Sequence, residues 1–323
     1  MFAARSLLRR TVGSLPRAAI TAAATVTAGS ALVTAAYCEP YQPPNRTTAE
    51  WKKTLQDGRL MMGCASNTSS TLCAELIAAQ GFDFVLIDAQ HSAVDPEKLR
   101  CMIQAVHAGG SKAFVRVGGH LDRIGIQQSL DLGADGILVP CVNTAEDVAL
   151  AVSCAKYPVH GPGSAGGTRS VYLNLRPQFP GGVVPLFKYV NEQANKESIV
   201  MVQIETNDAL ENVEQICAVP GLDVAFIGPG DLATSMGLVR ELGMPACWGH
   251  PRFAAAKERI AAACKSSGVV AGIWNGTDTN GLKAAAAQGF RFMVVDADIL
   301  AMSSGLSAGL AEKVKAREEL GCA

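Results

Sequence analysis

The sequence predicts an α/β protein of the TIM-barrel class, a (β/α)8 barrel with a C-terminal helical extension. Three observations predict it. Eight short apolar runs alternate with stretches that carry helix-start and helix-stop signals, the rhythm of parallel βα units. A glycine, two residues and an apolar strand recur in "QGFDFVLID", "LGADGILVP", "PGLDVAFIG" and "QGFRFMVVD", an economical helix-to-strand turn used repeatedly. The 323 residues would hold one large barrel or two average domains, and eight strand candidates, the number that closes a barrel, select the barrel.

In order, the strands are "LMMGCA" (60–65), "DFVLID" (83–88), "AFVRV" (113–117), "GILVP" (136–140), "VMVQIE" (200–205), "VAFIG" (224–228), "VVAGIW" (269–274) and "FMVVDA" (292–297). Between the first two, "TSSTLCAELIAAQG" opens on Ser/Thr caps and stops at Gly81. After the fourth, "NTAEDVALAVSCAKYP" pairs Asn143 with Glu146 at capping-box spacing. "HPRFAAAKERIAAACKSSG" and "NGLKAAAAQG" end on Gly268 and Gly289. The rhythm breaks once, over 141–199, where a helix is followed by "GPGSAGGTRSVYLNLRPQFPGG"; a long excursion of that composition reads as a functional loop or an oligomer contact. A last amphipathic helix is expected over 301–320.

Residues 1–40 differ in kind. They hold Arg5, Arg9, Arg10 and Arg17, many Ala, Ser and Thr, and no acid before Glu39, which predicts an organellar transit peptide and a mitochondrial matrix location. The tract 18–37 is too poor in Leu, Ile and Phe to favour a membrane anchor. Residues 41–57 read as a linker and N-terminal extension, and 58–323 as the barrel. A formal charge of −1 with scattered Lys and Arg argues against nucleic acid and for small-molecule substrates. Ten cysteines without a C-x-x-C pair read as buried free thiols in a reducing compartment.

In a βα barrel the chemistry sits at the C-terminal ends of the strands, which filters the polar residues. Asp88, Gln90 and His91 close the second strand, Arg116 the third, Gln203 and Glu205 the fifth, and Asp231 follows the sixth in "GPGD". Gln203 and Glu205 are two apart, so both face one side of their strand. With Asp231, Glu205 makes a carboxylate pair suited to a hard divalent cation, Mg2+ or Mn2+ first, with Co2+ or Zn2+ as further candidates. Arg116 suits a substrate carboxylate, and the N–H groups of Gly230 and Asp231 could help hold the same anion. His91 is the natural proton-transfer group, with Asp88 close enough to orient it. Each also has a plainer reading: His91 as a loop histidine, Arg116 as a structural ion pair with Glu205 or Asp231, Glu205 or Asp88 as a cap.

Taken together, "GFDFVLIDAQHS", "FVRV", "LDLGADGILVPCVNTAEDV", "KYPVHGPGS", "VQIET" and "VAFIGPGDLATSMG" resemble the HpcH/HpaI class of metal-dependent pyruvate aldolases over nearly all of 58–310. The resemblance implies a lyase that cleaves 4-hydroxy-2-oxo acids to pyruvate and an aldehyde. It also implies Glu205 and Asp231 as metal ligands, Gln203 beside the metal or its water, Arg116 on pyruvate and its enolate, and His91 as base with Asp88 as orienter. Asp131 is implied to approach the site of a neighbouring subunit, in a homo-oligomer that the resemblance makes a hexamer. Gln90 stands where many members have Glu, and Met61 falls in the first strand where a Trp is frequent. The alternatives are a CoA-ester lyase of the malyl-CoA or citramalyl-CoA type and a catalytically weak organellar barrel protein; a Schiff-base aldolase is disfavoured because Lys112 enters its strand at the wrong end.

Overall fold

The computed structural model of the chain describes residues 47–159, 166–171, 183–276 and 278–322. Residues 1–40, read as a transit peptide, and most of the Gly/Pro-rich excursion, including part of "KYPVHGPGS", lie outside them. Eight parallel strands close into a barrel in sequence order: β1 Met61–Ser66, β2 Phe84–Asp88, β3 Lys112–Arg116, β4 Gly136–Val139, β5 Ile199–Ile204, β6 Val224–Ile227, β7 Val270–Trp274 and β8 Phe292–Ala297. The helices are α1 Thr48–Gln56, α2 Thr71–Ala79, α3 Pro96–Ala108, α4 Arg123–Leu132, α5 Ala145–Ala155, α6 Val183–Glu192, α7 Ala194–Glu197, α8 Asn207–Glu211, α9 Val213–Cys217, α10 Pro229–Ser235, α11 Leu238–Leu242, α12 Pro251–Ser267, α13 Thr279–Ala287 and α14 Asp298–Glu319.

Strand alternation divides the apolar residues into two cores. Inward positions such as Leu86, Phe114, Leu138, Met201, Phe226 and Phe292 fill the barrel, while Val85, Ile87, Val115, Ile137, Val202 and Ile227 face the helices. The interior is crowded. Phe84 and Phe292 stack with centroids 4.0 Å apart, and a Cβ on Gly63 would fall 2.1 Å from the Phe84 ring, so glycine there makes room for the aromatic layer.

The recurring glycine phrase has a common geometry. Gly81, Gly133, Gly221 and Gly289 all take positive φ, which turns each helix sharply into the next strand. In three repeats the aspartate two residues on accepts the backbone N–H of the preceding strand: Asp83 from Met62, Asp135 from Ala113 and Asp223 from Val200, each at 2.9 Å. The fourth repeat has Arg291, whose backbone N–H donates to Ala271 O at 2.9 Å and whose guanidinium turns back to Ala286 O at 2.7 Å and Phe290 O at 2.9 Å.

Residues 48–56, within the tract read as linker and extension, form a helix that closes the N-terminal end of the barrel. A capping box between Thr47 and Glu50 starts α1. Trp51 and Leu55 enter the inner core, with Trp51 against Phe84, Phe114 and Phe292, while Thr48 donates to Asp135 and Lys52 pairs with Asp223 at 2.6 Å. The apolar bottom of the barrel needs a lid, and α1 supplies it. The capping box of α5 is Thr144 with Asp147, one residue beyond the expected Asn143 and Glu146. Among the described residues no helix is long and apolar enough to cross a membrane.

Candidate active site

Asp88 and Arg116 are the last residues of β2 and β3, and the register sets them opposite each other. Arg116 donates from Nε to Asp88 Oδ1 at 2.9 Å and from Nη2 to Oδ2 at 2.7 Å, a bidentate pair in a nearly dry position. Asp88 also accepts from Asn67 Nδ2 at 2.8 Å and from the backbone N–H groups of Gln90 at 3.1 Å and His91 at 3.3 Å. Burial alone would raise the Asp88 carboxyl; the Arg116 hydrogen bonds and charge, with the two amides, hold it below its ordinary value instead. Asp88 therefore orients the His91 backbone and the Arg116 guanidinium, not the His91 ring as expected. The His91 side chain is exposed. Arg116, read in its plainer form as a partner of Glu205 or Asp231, is paired with Asp88.

The second half of the site is acidic. Gln203 and Glu205 face inward and Ile204 outward, as alternation requires, and Gln203 Nε2 donates to Glu205 Oε2. Glu205 Oε1 accepts the Cys141 N–H at 2.7 Å, an amide aimed inward because Cys141 adopts φ +56° just past β4. Gly228, between β6 and α10, leaves them room: a Cβ there would lie 2.5 Å from Gln203 Nε2 and 2.8 Å from Glu205 Oε2. Asp231 is in the first turn of α10 and exposed, next to Gly230, around which there is open space. Burial pushes the Glu205 carboxyl up, and the charge of Asp231 pushes it further, against the Cys141 amide and Arg116.

These groups fit a hard divalent cation. Gln203 Oε1 is buried without a hydrogen-bond partner, and a partly desolvated carboxylate faces a second one. Positive charge at that point would answer both. Among the described residues no group of three or more His, Cys, Asp or Glu is placed to hold a metal ion, and the donors at this point are the two carboxylates and the Gln203 oxygen.

Other residues singled out in the sequence lie elsewhere. Asp131, which the family resemblance assigns to the site of a neighbouring subunit and not to this chain's own, lies at the far end of α4, away from the C-terminal rim of the barrel, and accepts from Arg169 at 2.7 Å, with the Arg169 guanidinium over the Tyr157 ring. Met61 is buried at the bottom of the barrel and does not reach the rim. Lys112 enters β3 from the closed end, 3.1 Å from Asp135. Of the cysteines read as buried, Cys101, Cys141 and Cys322 are exposed. The exposed His107 bonds Asp135 at 2.8 Å. Asn67 and Cys141 were not among the expected site residues, although the rule that sends strand C-termini to the site applies to both.

Residues 61–303 match the sequence profile of the HpcH/HpaI aldolase/citrate lyase family. The chain belongs to that family. It is 35% identical to the hydroxypyruvate/pyruvate aldolase of Sagittula stellata over 84% of this chain and 98% of the relative. It is also 35% identical to a 4-hydroxy-2-oxo-heptane-1,7-dioate aldolase of Escherichia coli over 69% and 79% of the two chains. A family member of known structure from Burkholderia cenocepacia superposes with a TM-score of 0.70 at 29% identity, covering 82% of this chain and 98% of that one. Like those relatives, this family member is a lyase of the aldolase type, and its barrel presents the polar rim on which such chemistry is built.

Proposed function

We propose that the chain is a divalent-metal-dependent aldolase that cleaves 4-hydroxy-2-oxo acids to pyruvate and an aldehyde. The observation that carries this reading is the carboxylate pair Glu205 and Asp231 with the unpartnered Gln203 oxygen, placed across the rim from a fixed arginine. The aldolase activities in the names of the relatives support it.

The cation, held by Glu205 and Asp231 with Gln203 alongside, would supply a Lewis acid for the carboxylate and keto oxygens of the substrate. Arg116 spends two of its five N–H groups on Asp88 and keeps three for the substrate carboxylate. His91 takes the proton of the 4-hydroxyl and, being exposed, exchanges it with solvent. As the C3–C4 bond breaks, C4 leaves as the aldehyde carbonyl and the electron pair stays on C3 as the pyruvate enolate, beside the charge of Arg116. A proton delivered to C3 completes pyruvate.

Homo-oligomerisation belongs to the same proposal. The α14 helix leaves Ile299, Met302, Leu306 and Leu310 exposed at helical spacing, and β1 and α2 leave Met62, Leu72 and Leu76 exposed. Apolar surfaces of this kind on one chain suit a second copy, and the family resemblance implies a hexamer. The arginine-rich leader supports import into the mitochondrial matrix.

The deciding experiment is pyruvate release over a panel of 4-hydroxy-2-oxo acids, with and without EDTA. Activity is expected to vanish with EDTA, return with Mg2+ or Mn2+, and fall by about 100-fold or more in Glu205→Ala. Turnover independent of metal, or full activity in the variant, would overturn the reading.

A further inference from the structure

The holding of Arg116 does not end at Asp88. The Asp88 oxygen that accepts Arg116 Nη2 also accepts Asn67 Nδ2 at 2.8 Å, and Asn67 comes from the turn after β1. That turn is tied down twice. Ser92, in the segment that carries His91, donates to Asn67 O at 2.9 Å. Asp298, the buried first residue of α14, accepts from Asn67 N at 2.8 Å, Thr68 N at 3.2 Å, Thr68 Oγ1 at 2.6 Å and Ser66 Oγ at 3.1 Å. One continuous chain of bonds thus runs from the start of α14 through Asn67 and Asp88 to the guanidinium.

We infer that Asn67, held by Asp298, is a positioning residue that fixes the Arg116 guanidinium through Asp88. The inference rests on the proposed role of Arg116 as the grip on the 2-oxo acid carboxylate. Asp88 is a carboxylate with two acceptor atoms and two tasks, and rotation about its χ2 would exchange or break the bidentate pair. The Asn67 amide donates to Oδ2 and the Gln90 and His91 amides donate to Oδ1, so each oxygen is named and the carboxylate plane is locked. Hydrogen bonds to a charged group in a part-buried site are among the stronger ones, and losing one lets the plane turn. The arginine then meets the substrate carboxylate at a variable angle. Bidentate recognition tolerates little of that.

The discriminating variants are Asn67→Ala, which removes the donor, and Asn67→Asp, which keeps the shape but puts an acceptor against Asp88. Two readouts are taken on the intact protein: KM in the carbon–carbon bond-forming direction for pyruvate and for the aldehyde, and the rate at which p-hydroxyphenylglyoxal modifies Arg116, followed by peptide mass spectrometry. Both variants should raise KM for pyruvate about tenfold or more while KM for the aldehyde stays within about twofold, as expected for one charge-assisted bond. Arg116 should be modified faster in both, and Asn67→Asp should be at least as impaired as Asn67→Ala despite its isosteric side chain. A purely steric role for Asn67 would spare Asn67→Asp, and that result overturns the inference. So does unchanged modification of Arg116, whatever KM does. If the wild-type protein releases no pyruvate from any substrate, the aldolase reading fails alone, and the modification rates still decide whether Asn67 fixes Arg116.

Discussion

Glu205 sits in an environment that works against its own ionisation. Burial is the larger cause and the neighbouring Asp231 adds to it, so its folded-state pKa lies above its unfolded value. For an acid raised in this way the penalty is absent where both states are protonated and sets in as pH rises through the unfolded value, about 4.3. An amide of the same size removes it, and Gln203 can turn its own amide so that its unpartnered oxygen accepts the new N–H. Metal-free Glu205→Gln should therefore melt higher than wild type at pH 7, with the gap closing towards pH 4. Thermal unfolding in EDTA across that range checks it. A residue that destabilises the empty fold and holds the proposed cation is the trade expected of a functional site. Cys141 follows the same logic: its positive φ is locally unfavourable, and it aims an N–H at Glu205.

At the scale of elements, the aspartates of the glycine phrase join strand to strand and barrel to lid. The buried Asp135 takes Ala113 N, His107, Lys112 and Thr48 of α1. Burial alone would raise its pKa, but these donors and charges drive it far below the ordinary carboxylate range. A depressed folded-state pKa gives stability that is complete above the unfolded value, about 3.9, and is lost as pH falls through the folded one. Urea unfolding should show wild type losing stability below about pH 4, whereas Asp135→Asn should start less stable at pH 7 and change less over the same acid range. Equal slopes for the two proteins would contradict the assignment. The phrase was legible in the sequence as a turn, from its spacing. Its aspartates as acceptors for the neighbouring strand were not, because that partner lies about twenty residues earlier in the chain: Met62 for Asp83, Ala113 for Asp135 and Val200 for Asp223.

For the whole molecule, α14 carries an apolar stripe that the described residues leave exposed. A 22-residue helix with Leu306 and Leu310 about two-thirds exposed is expected to bury that stripe against another subunit. Light scattering on Leu306→Glu/Leu310→Glu should show a smaller assembly than wild type, with the barrel still folded by circular dichroism; an unchanged mass would remove α14 from the interface. Because Asp298 begins this helix and also organises the Asn67 turn, an assembly that settles α14 would act on the same turn that holds the catalytic rim.

The sequence by itself determined the barrel, since eight apolar runs alternating with helix signals are the number that closes one, and it determined which residues reach the C-terminal rim of the strands, since strand alternation and strand ends are local properties. Asp88, Arg116, Gln203, Glu205 and Asp231 were all placed by that rule. Tertiary structure alone decided how they pair. Arg116 could have met any of three carboxylates, and the β2 to β3 register gave it Asp88. The lid made by α1 and the Asn67 bridge join residues distant in the chain, and contacts of that kind come into being only when the barrel closes and brings its first and last strands together.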